Sequence, residues 1–156
     1  MRALPAEILA RLDGRGAPAD AEHGLHESHR LTTTDADGWP RTAQLSDGEV
    51  VAMPDGSVRL CLWPASRTAA NVRRDGRALL SVVAAGTCWD LRLRAEERPA
   101  PPGAPPFAYF LATAESAEAQ RANYATVERG VSFRLLDAQD APARWSAQLD
   151  ALRRLA

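Results

Sequence analysis

Residues 30–63 run Arg30-Leu-Thr-Thr-Thr-Asp-Ala-Asp-Gly-Trp-Pro-Arg-Thr-Ala-Gln-Leu-Ser-Asp-Gly-Glu-Val-Val-Ala-Met-Pro-Asp-Gly-Ser-Val-Arg-Leu-Cys-Leu-Trp63. Three turn signals interrupt this stretch: Asp35-Ala-Asp-Gly38, Asp47-Gly48 and Asp55-Gly56. Aspartate bonds its own backbone in such turns, and glycine accepts positive φ. Asp47-Gly48 in particular predicts a tight hairpin. Between the turns lie β-rich segments at Arg30–Thr34, Arg41–Ser46, Glu49–Met53 and Ser57–Trp63. The last alternates cleanly, with Val58, Leu60 and Leu62 on one face and Arg59, Cys61 and Trp63 on the other. Strands this short and close, joined by tight turns, predict an antiparallel meander. An open meander leaves exposed edges, so closure into a barrel is expected.

Outward from that stretch the texture changes twice. Pro64 ends the strand, Ser66 is a good helix N-cap, and 67–74 is helix-compatible up to Asp75-Gly76. Strands return at Arg77–Ala84 and Thr87–Arg94; in the second, Cys88, Asp90, Arg92 and Arg94 stand opposite Trp89, Leu91 and Leu93. The proline-rich residues 99–106 must be a loop. Phe107–Thr113 mixes strand-favouring aromatics with helix-favouring alanines. It is expected to be a strand because the preceding one needs a partner. Residues 115–125 read as a helix, Val131–Leu136 as a last strand. From Ala143 to Ala156, Trp145, Leu149, Leu152 and Leu155 recur at helical spacing. Upstream, Leu4, Ile8, Leu9 and Leu12 predict a short helix over 4–13, followed by a polar connection over 14–28. The expected architecture is mainly β with flanking helices. It is one domain over 1–156: an N-terminal helix and connection (1–28), a barrel (30–136) and a C-terminal helix (143–156).

Charge and composition narrow the function. With 156 residues, 19 basic and 20 acidic side chains, the net charge is −1, which gives no broad reason to bind nucleic acid. No apolar run is long enough to span a membrane. The N-terminus lacks the apolar core of a signal peptide, so a cytoplasmic location is expected. All 19 basic residues are arginine, which excludes lysine Schiff-base chemistry. Cys61 and Cys88 have no metal spacing and lie in expected strands, where inert packing is the plain reading.

His23, His26 and His29 step by three along the chain, with Glu22 and Glu27 among them. A zinc-protease helix needs His-Glu-x-x-His, and here the second histidine comes one place early. Side chains three apart fan out around a helix. The segment therefore reads as an exposed polar connection without a metal, and replacing all three histidines is expected to leave the fold intact. Asp35-Ala-Asp-Gly38 is too short for a calcium loop. No nucleophile elbow, Walker loop or dinucleotide fingerprint is present.

The informative chemistry lies in Ser66-Arg67-Thr68 at the start of a helix. Free amides at a helix N-terminus attract an anion. Ser66 and Thr68 add hydroxyls, and a guanidinium can grip two phosphate oxygens at once. The plain alternative is that Ser66 is only a cap and Arg67 only a solvated charge.

Residues 30–95 resemble the pyridoxamine 5′-phosphate oxidase-like family, the FMN-binding split barrels. The resemblance rests on Leu31–Pro40, the strand Arg41–Ser46, and above all Ser66-Arg67-Thr68-x-x-Asn71-Val-Arg-Arg-Asp75 followed by Leu79-Leu-Ser-Val-Val83. It implies a six-stranded antiparallel split β-barrel that forms a homodimer, with one FMN per subunit at the interface. It further implies a phosphate held by Ser66 and Arg67, helped by Arg41 and Ser46. The flavin ring would run along the backbone of Thr42, Ala43, Gln44 and Leu45 and of Leu62 and Trp63, with Thr68 and Asn71 nearby. Where the family usually carries a lysine after the arginine, this chain has Thr68; Arg73 and Arg74 are the nearest replacement charges. The substrate-binding Trp and Arg of the authentic oxidase have no match in this tail, so vitamin interconversion is not expected. The implied function is a flavin-dependent oxidoreductase of unknown substrate. The alternative is a non-enzymatic split barrel with a degenerate flavin site, or one taking another planar cofactor such as haem or a deazaflavin. The solvent-averse face of Arg59, Cys61 and Trp63 is a further motive for the dimer.

Overall fold

The computed structural model describes residues 3–15 and 24–156. In chain order the elements are α1 (Ala6–Arg11), β1 (Leu25–Glu27), β2 (His29–Thr34), β3 (Pro40–Leu45), β4 (Val50–Ala52), β5 (Ser57–Leu62), α2 (Arg67–Asp75), β6 (Arg77–Ala84), β7 (Thr87–Arg98), β8 (Ala108–Gln120), β9 (Ser132–Arg134) and α3 (Ala141–Arg154). Seven strands form one antiparallel sheet in the order β3-β2-β6-β7-β8-β5-β4, and β1 pairs with β9 apart from it. The sheet curls into a split barrel with flanking helices, with seven strands where six were expected.

Alternation builds the barrel core. Ala78, Leu80 and Val82 of β6, Leu91 and Leu93 of β7, Phe110 and Ala112 of β8, and Val58 and Leu60 of β5 all point inward and are buried. Ile8 of α1 and Leu12 just after it, and Ala69 and Val72 of α2, plug the same core. A second apolar layer lies on the outer side, where Val51, Cys61 and Tyr109 meet Leu149, Leu152 and Leu155. Helix α3 therefore covers the face expected to seek a partner. Arg59 donates to the carbonyls of Leu152 and Arg153, at 3.0 and 2.8 Å, and Cys61 is fully buried. Of that face only Trp63 remains open, at 62% exposure.

Three further expectations are corrected. Residues 115–120 continue β8 instead of starting a helix. Arg92 pairs with Ser116 but Leu93 with Ala114, so Glu115 is the extra residue of a bulge. The bulge flips the phase: Ala112 and Ala114 face the core before it, Ala117 and Ala119 after it. Strict period-two alternation is broken there, and alanine with glutamate then mimics a helix.

Asp47-Gly48 makes no hairpin, because β3 and β4 lie at opposite edges of the sheet. Gly48 has no positive φ; it is small because Trp145 sits on it, and a Cβ would come 2.6 Å from the indole Cδ1. The last strand, β9, leaves the barrel to pair with β1.

The histidine segment is not a bare connection either. His29 lies in β2 with no exposed surface, and His26 stacks on Phe133 at 5.6 Å. His23 lies outside the described residues. No helix among the described residues is long and apolar enough to cross a membrane.

Candidate functional site

Helix α2 starts where expected. The Ser66 hydroxyl accepts the Ala69 N–H at 3.1 Å, and Gly76 closes the helix in the left-handed region. The amides of Arg67 and Thr68, at the first two helical positions, have no intrahelical acceptor. Arg67, Ala70, Asn71 and Arg74 recur at helical spacing and share one face, which looks onto the Asp35–Gly38 turn across a cleft of about 390 Å³.

Asp35 is the hub of that cleft. It takes three contacts of 2.8–3.0 Å from the Arg41 guanidinium and one of 2.8 Å from Asn71 Nδ2. Asn71 Nδ2 also donates to Thr33 Oγ1 at 3.0 Å, which ties α2 to β2. The bond from Arg41, then that from Asn71, lowers the Asp35 pKa from 3.8 to about 2. The folded state thus favours the carboxylate. Its contribution to stability is complete above about pH 4 and is lost as pH falls towards 2. Between pH 4 and 2 the wild-type melting temperature should fall more steeply than that of Asp35→Asn. Parallel slopes across this window would show that the network does not hold Asp35 ionised.

The arginines around the cleft differ in what they already bond. Arg41 is committed to Asp35. Arg73 is clamped by Glu97 at 2.6 and 2.7 Å and by the Pro64 carbonyl at 2.9 Å. Arg74 bonds Asn71, Asp75 and the Thr34 carbonyl. Neither Arg73 nor Arg74 is therefore a free replacement for the missing lysine. Arg67 is exposed and makes no hydrogen bond or ion pair with any described residue; its charge reaches Asp35 only through space.

The remaining residues singled out from the sequence fall into three groups. Thr68 and Asn71 lie on the buried side of α2, beside Arg67 and Ser66. On edge strand β3, Ala43 and Leu45 pack inward, while Thr42 and Gln44 face out. Thr42 Oγ1 is bonded to Thr32 Oγ1 at 3.1 Å, and Gln44 Oε1 accepts from Ser28 at 2.7 Å. Leu62 is core, whereas Trp63 stands open with its ring edge-on to Phe107 at 5.5 Å.

Ser46 is separated from the cluster. Five residues of strand, roughly 17 Å, part it from Arg41, and one phosphate cannot reach both. Its N–H and hydroxyl are also taken by Glu49 Oε2, at 2.7 and 2.9 Å. Asp35 was missed as a site residue. The signal available was the Asp35-Ala-Asp-Gly38 turn that it opens, opposite a helix face that carries Asn71. Among the described residues, no group of three or more His, Cys, Asp or Glu side chains is placed to hold a metal.

No family model matches the chain. It is 32% identical over 133 residues to uncharacterized protein YclD of Bacillus subtilis, covering 83% of this chain and 84% of that one. Among solved structures it is similar to HupZ of group A Streptococcus: 13% identity, 79% of this chain, 98% of that one, TM-score 0.57. A candidate pyridoxamine 5′-phosphate oxidase of Lactobacillus delbrueckii aligns over 74% of this chain and 93% of that one, at 16% identity and a TM-score of 0.56. An F420 reductase aligns over 74% and 98%, at 13% identity and a TM-score of 0.54. At these identities the structural likeness shows the shared fold.

Proposed function

For a chain that belongs to the family of YclD, with the split barrel of the pyridoxamine 5′-phosphate oxidase-like proteins, we propose an FMN-binding protein serving a flavin-dependent oxidoreduction. The observation that carries this reading is Arg67. It is a guanidinium without a partner among the described residues, at a helix start that offers two open amides, among arginines that are already committed. A phosphate fits that donor set. Arg67 and the amides of Arg67 and Thr68 would hold it, with the hydroxyl of Ser66 beside them. The free edge of β3 offers backbone donors and acceptors at Thr42–Leu45, and Trp63 offers an open ring face at the mouth of α2. Bound FMN would supply the redox chemistry; the protein binds and orients it. No side chain is assigned as acid or base.

The test is a visible spectrum of the purified protein, followed by titration with FMN. Flavin absorbance that co-purifies, or saturable binding with a stoichiometry of one per chain, supports the proposal. Absence of both rejects it.

A second reading has its own observation. Asp35 neutralises Arg41 and Thr68 stands in the place of a cation, which leaves Arg67 as the cluster's one guanidinium without a partner among the described residues. A degenerate flavin site, or one for haem or a deazaflavin, would tolerate that loss. Those chromophores titrate in the same experiment.

We also propose a homodimer. The face formed by Arg59 and Cys61 no longer motivates it, since α3 covers that face. The motive is now Trp39 and Trp63, 73% and 62% exposed. Dimer interfaces of this kind bury over about 2,000 Å² in total. Sedimentation equilibrium at micromolar concentration should give twice the 16.8 kDa chain mass. A monomer would reject the dimer and any cofactor site built across it.

A further inference from the structure

A second cleft, of about 330 Å³, opens between α3, β1 and the β3–β4 connection. No residue lining it belongs to the cluster around α2. Its wall is rigid. Trp145 is seated on the bare backbone of Gly48, meets the His26 ring edge-on at 5.1 Å, and lies 6.4 Å from Phe133. Leu149 continues the apolar surface. The indole is thus a fixed, partly open ring face, the kind of surface on which a second ring packs.

The polar groups are as specific. Asp47 uses one oxygen, Oδ1, for both His29 Nε2 at 2.8 Å and Arg11 Nη1 at 2.9 Å. Its second oxygen has no hydrogen bond to any described residue, although the side chain is only 10% exposed and lines the cleft. Arg15 and Arg153 stand at the rim. Among the described residues the Arg15 guanidinium meets only Asp13, at 3.4 Å, and Arg153 spends one nitrogen on the Asp13 carbonyl at 3.3 Å. The charge of Asp47 is already balanced by Arg11, so the rim guanidiniums make the cleft attractive to an anion.

We propose that this cleft binds a small planar aromatic carboxylate that carries a ring N–H or O–H. The ring packs on Trp145 and Leu149, the N–H or O–H donates to Asp47 Oδ2, and the carboxylate meets Arg15 and Arg153. The volume lies at the small end of the range for ligand pockets, about 300–1,000 Å³, which suits one fused ring system with a short acidic arm.

Three probes dissect the recognition when titrated by calorimetry into the full chain. Indole-3-acetate has the ring, the N–H and the acid; 1-naphthylacetate lacks the N–H; indole lacks the acid. Indole-3-acetate should bind, and each of the others should bind at least about tenfold more weakly, the usual worth of a charged hydrogen bond. Ser146 is exposed on α3 at the cleft, and Ser146→Trp should fill the space and abolish binding while the circular dichroism spectrum stays unchanged. Arg153→Gln should weaken indole-3-acetate and leave indole as it was, a second readout that does not depend on the bulky variant. No binding of indole-3-acetate at about 1 mM, equal affinity for the three probes, or full binding by Ser146→Trp overturns the proposal. None of these probes carries a phosphate, so the outcome is independent of the flavin site.

Discussion

His29→Ala should lower the stability of the protein by about 2–4 kcal/mol, against no more than about 1.5 kcal/mol for His26→Ala. The two histidines are three residues apart, and their surroundings decide the difference. His29 is fully buried in β2, and its Nε2 shares Asp47 Oδ1 with Arg11. Truncation leaves a cavity in a layer that cannot collapse, because β2 is paired on both sides, with β3 and β6. It also leaves a mostly buried carboxylate with one partner where it had two. Burial works to raise the pKa of Asp47, yet the bonds from His29 and Arg11 carry it below the ordinary value. His26 loses only a stack on Phe133 and an edge contact to Trp145. Urea unfolding of the two single variants measures the gap. His29→Gln, which retains an N–H for Asp47, should recover part of the loss. A midpoint for His29→Ala equal to that of wild type would mean that the buried pair contributes nothing.

The three-residue spacing of the histidines suggests a single element, and that is why it misleads here. His26 and His29 lie on two different strands, so helical fanning has no bearing on them. Once the strand is known, period two puts His29 on the inward face with Leu31 and Thr33, and inward histidines need partners. Legibility elsewhere followed the same logic. Strands β6 and β7 were readable because their alternation is unbroken for eight and ten residues. The end of β8 was not, because the bulge at Glu115 reverses the phase. The cap at Ser66 was readable from local chemistry alone. The engagement of Arg41 was not, since it depends on Asp35 six residues away across a turn and on Asn71 from another element. Asp47-Gly48 carried a true turn signal, but its residues answer to Arg11, His29 and Trp145, all distant in sequence. Local rules located the elements; long-range partners decided which charges stayed free.

Arg67→Ala should weaken FMN by about 10- to 100-fold while leaving riboflavin, which has no phosphate, within about threefold of wild type. The neighbouring cations are already engaged. Arg41 faces Asp35, Arg73 faces Glu97, and Arg74 is spread over Asn71, Asp75 and the Thr34 carbonyl. Drawing any of them to a phosphate would break a bond that the fold already makes. Arg67 has no such bond to break among the described residues, so it is free to turn to a phosphate. It is also exposed on the first turn of a capped helix, and truncating it removes no core contact; the helix itself should be unaffected. A misfolded variant would lose both ligands, whereas loss of phosphate recognition removes only one. Equal loss of FMN and riboflavin, or undiminished FMN, would show that the start of α2 is not the phosphate site. Asp35→Asn gives the complementary result. With its carboxylate gone, Arg41 loses its counter-charge, the cluster gains net positive charge, and FMN should bind more tightly than to wild type. Tighter binding in Asp35→Asn together with weaker binding in Arg67→Ala would place the phosphate in the field of both arginines. An effect in Arg67→Ala alone would confine it to the helix start, and the Asp35–Arg41 pair would then act as a brace between β3 and α2.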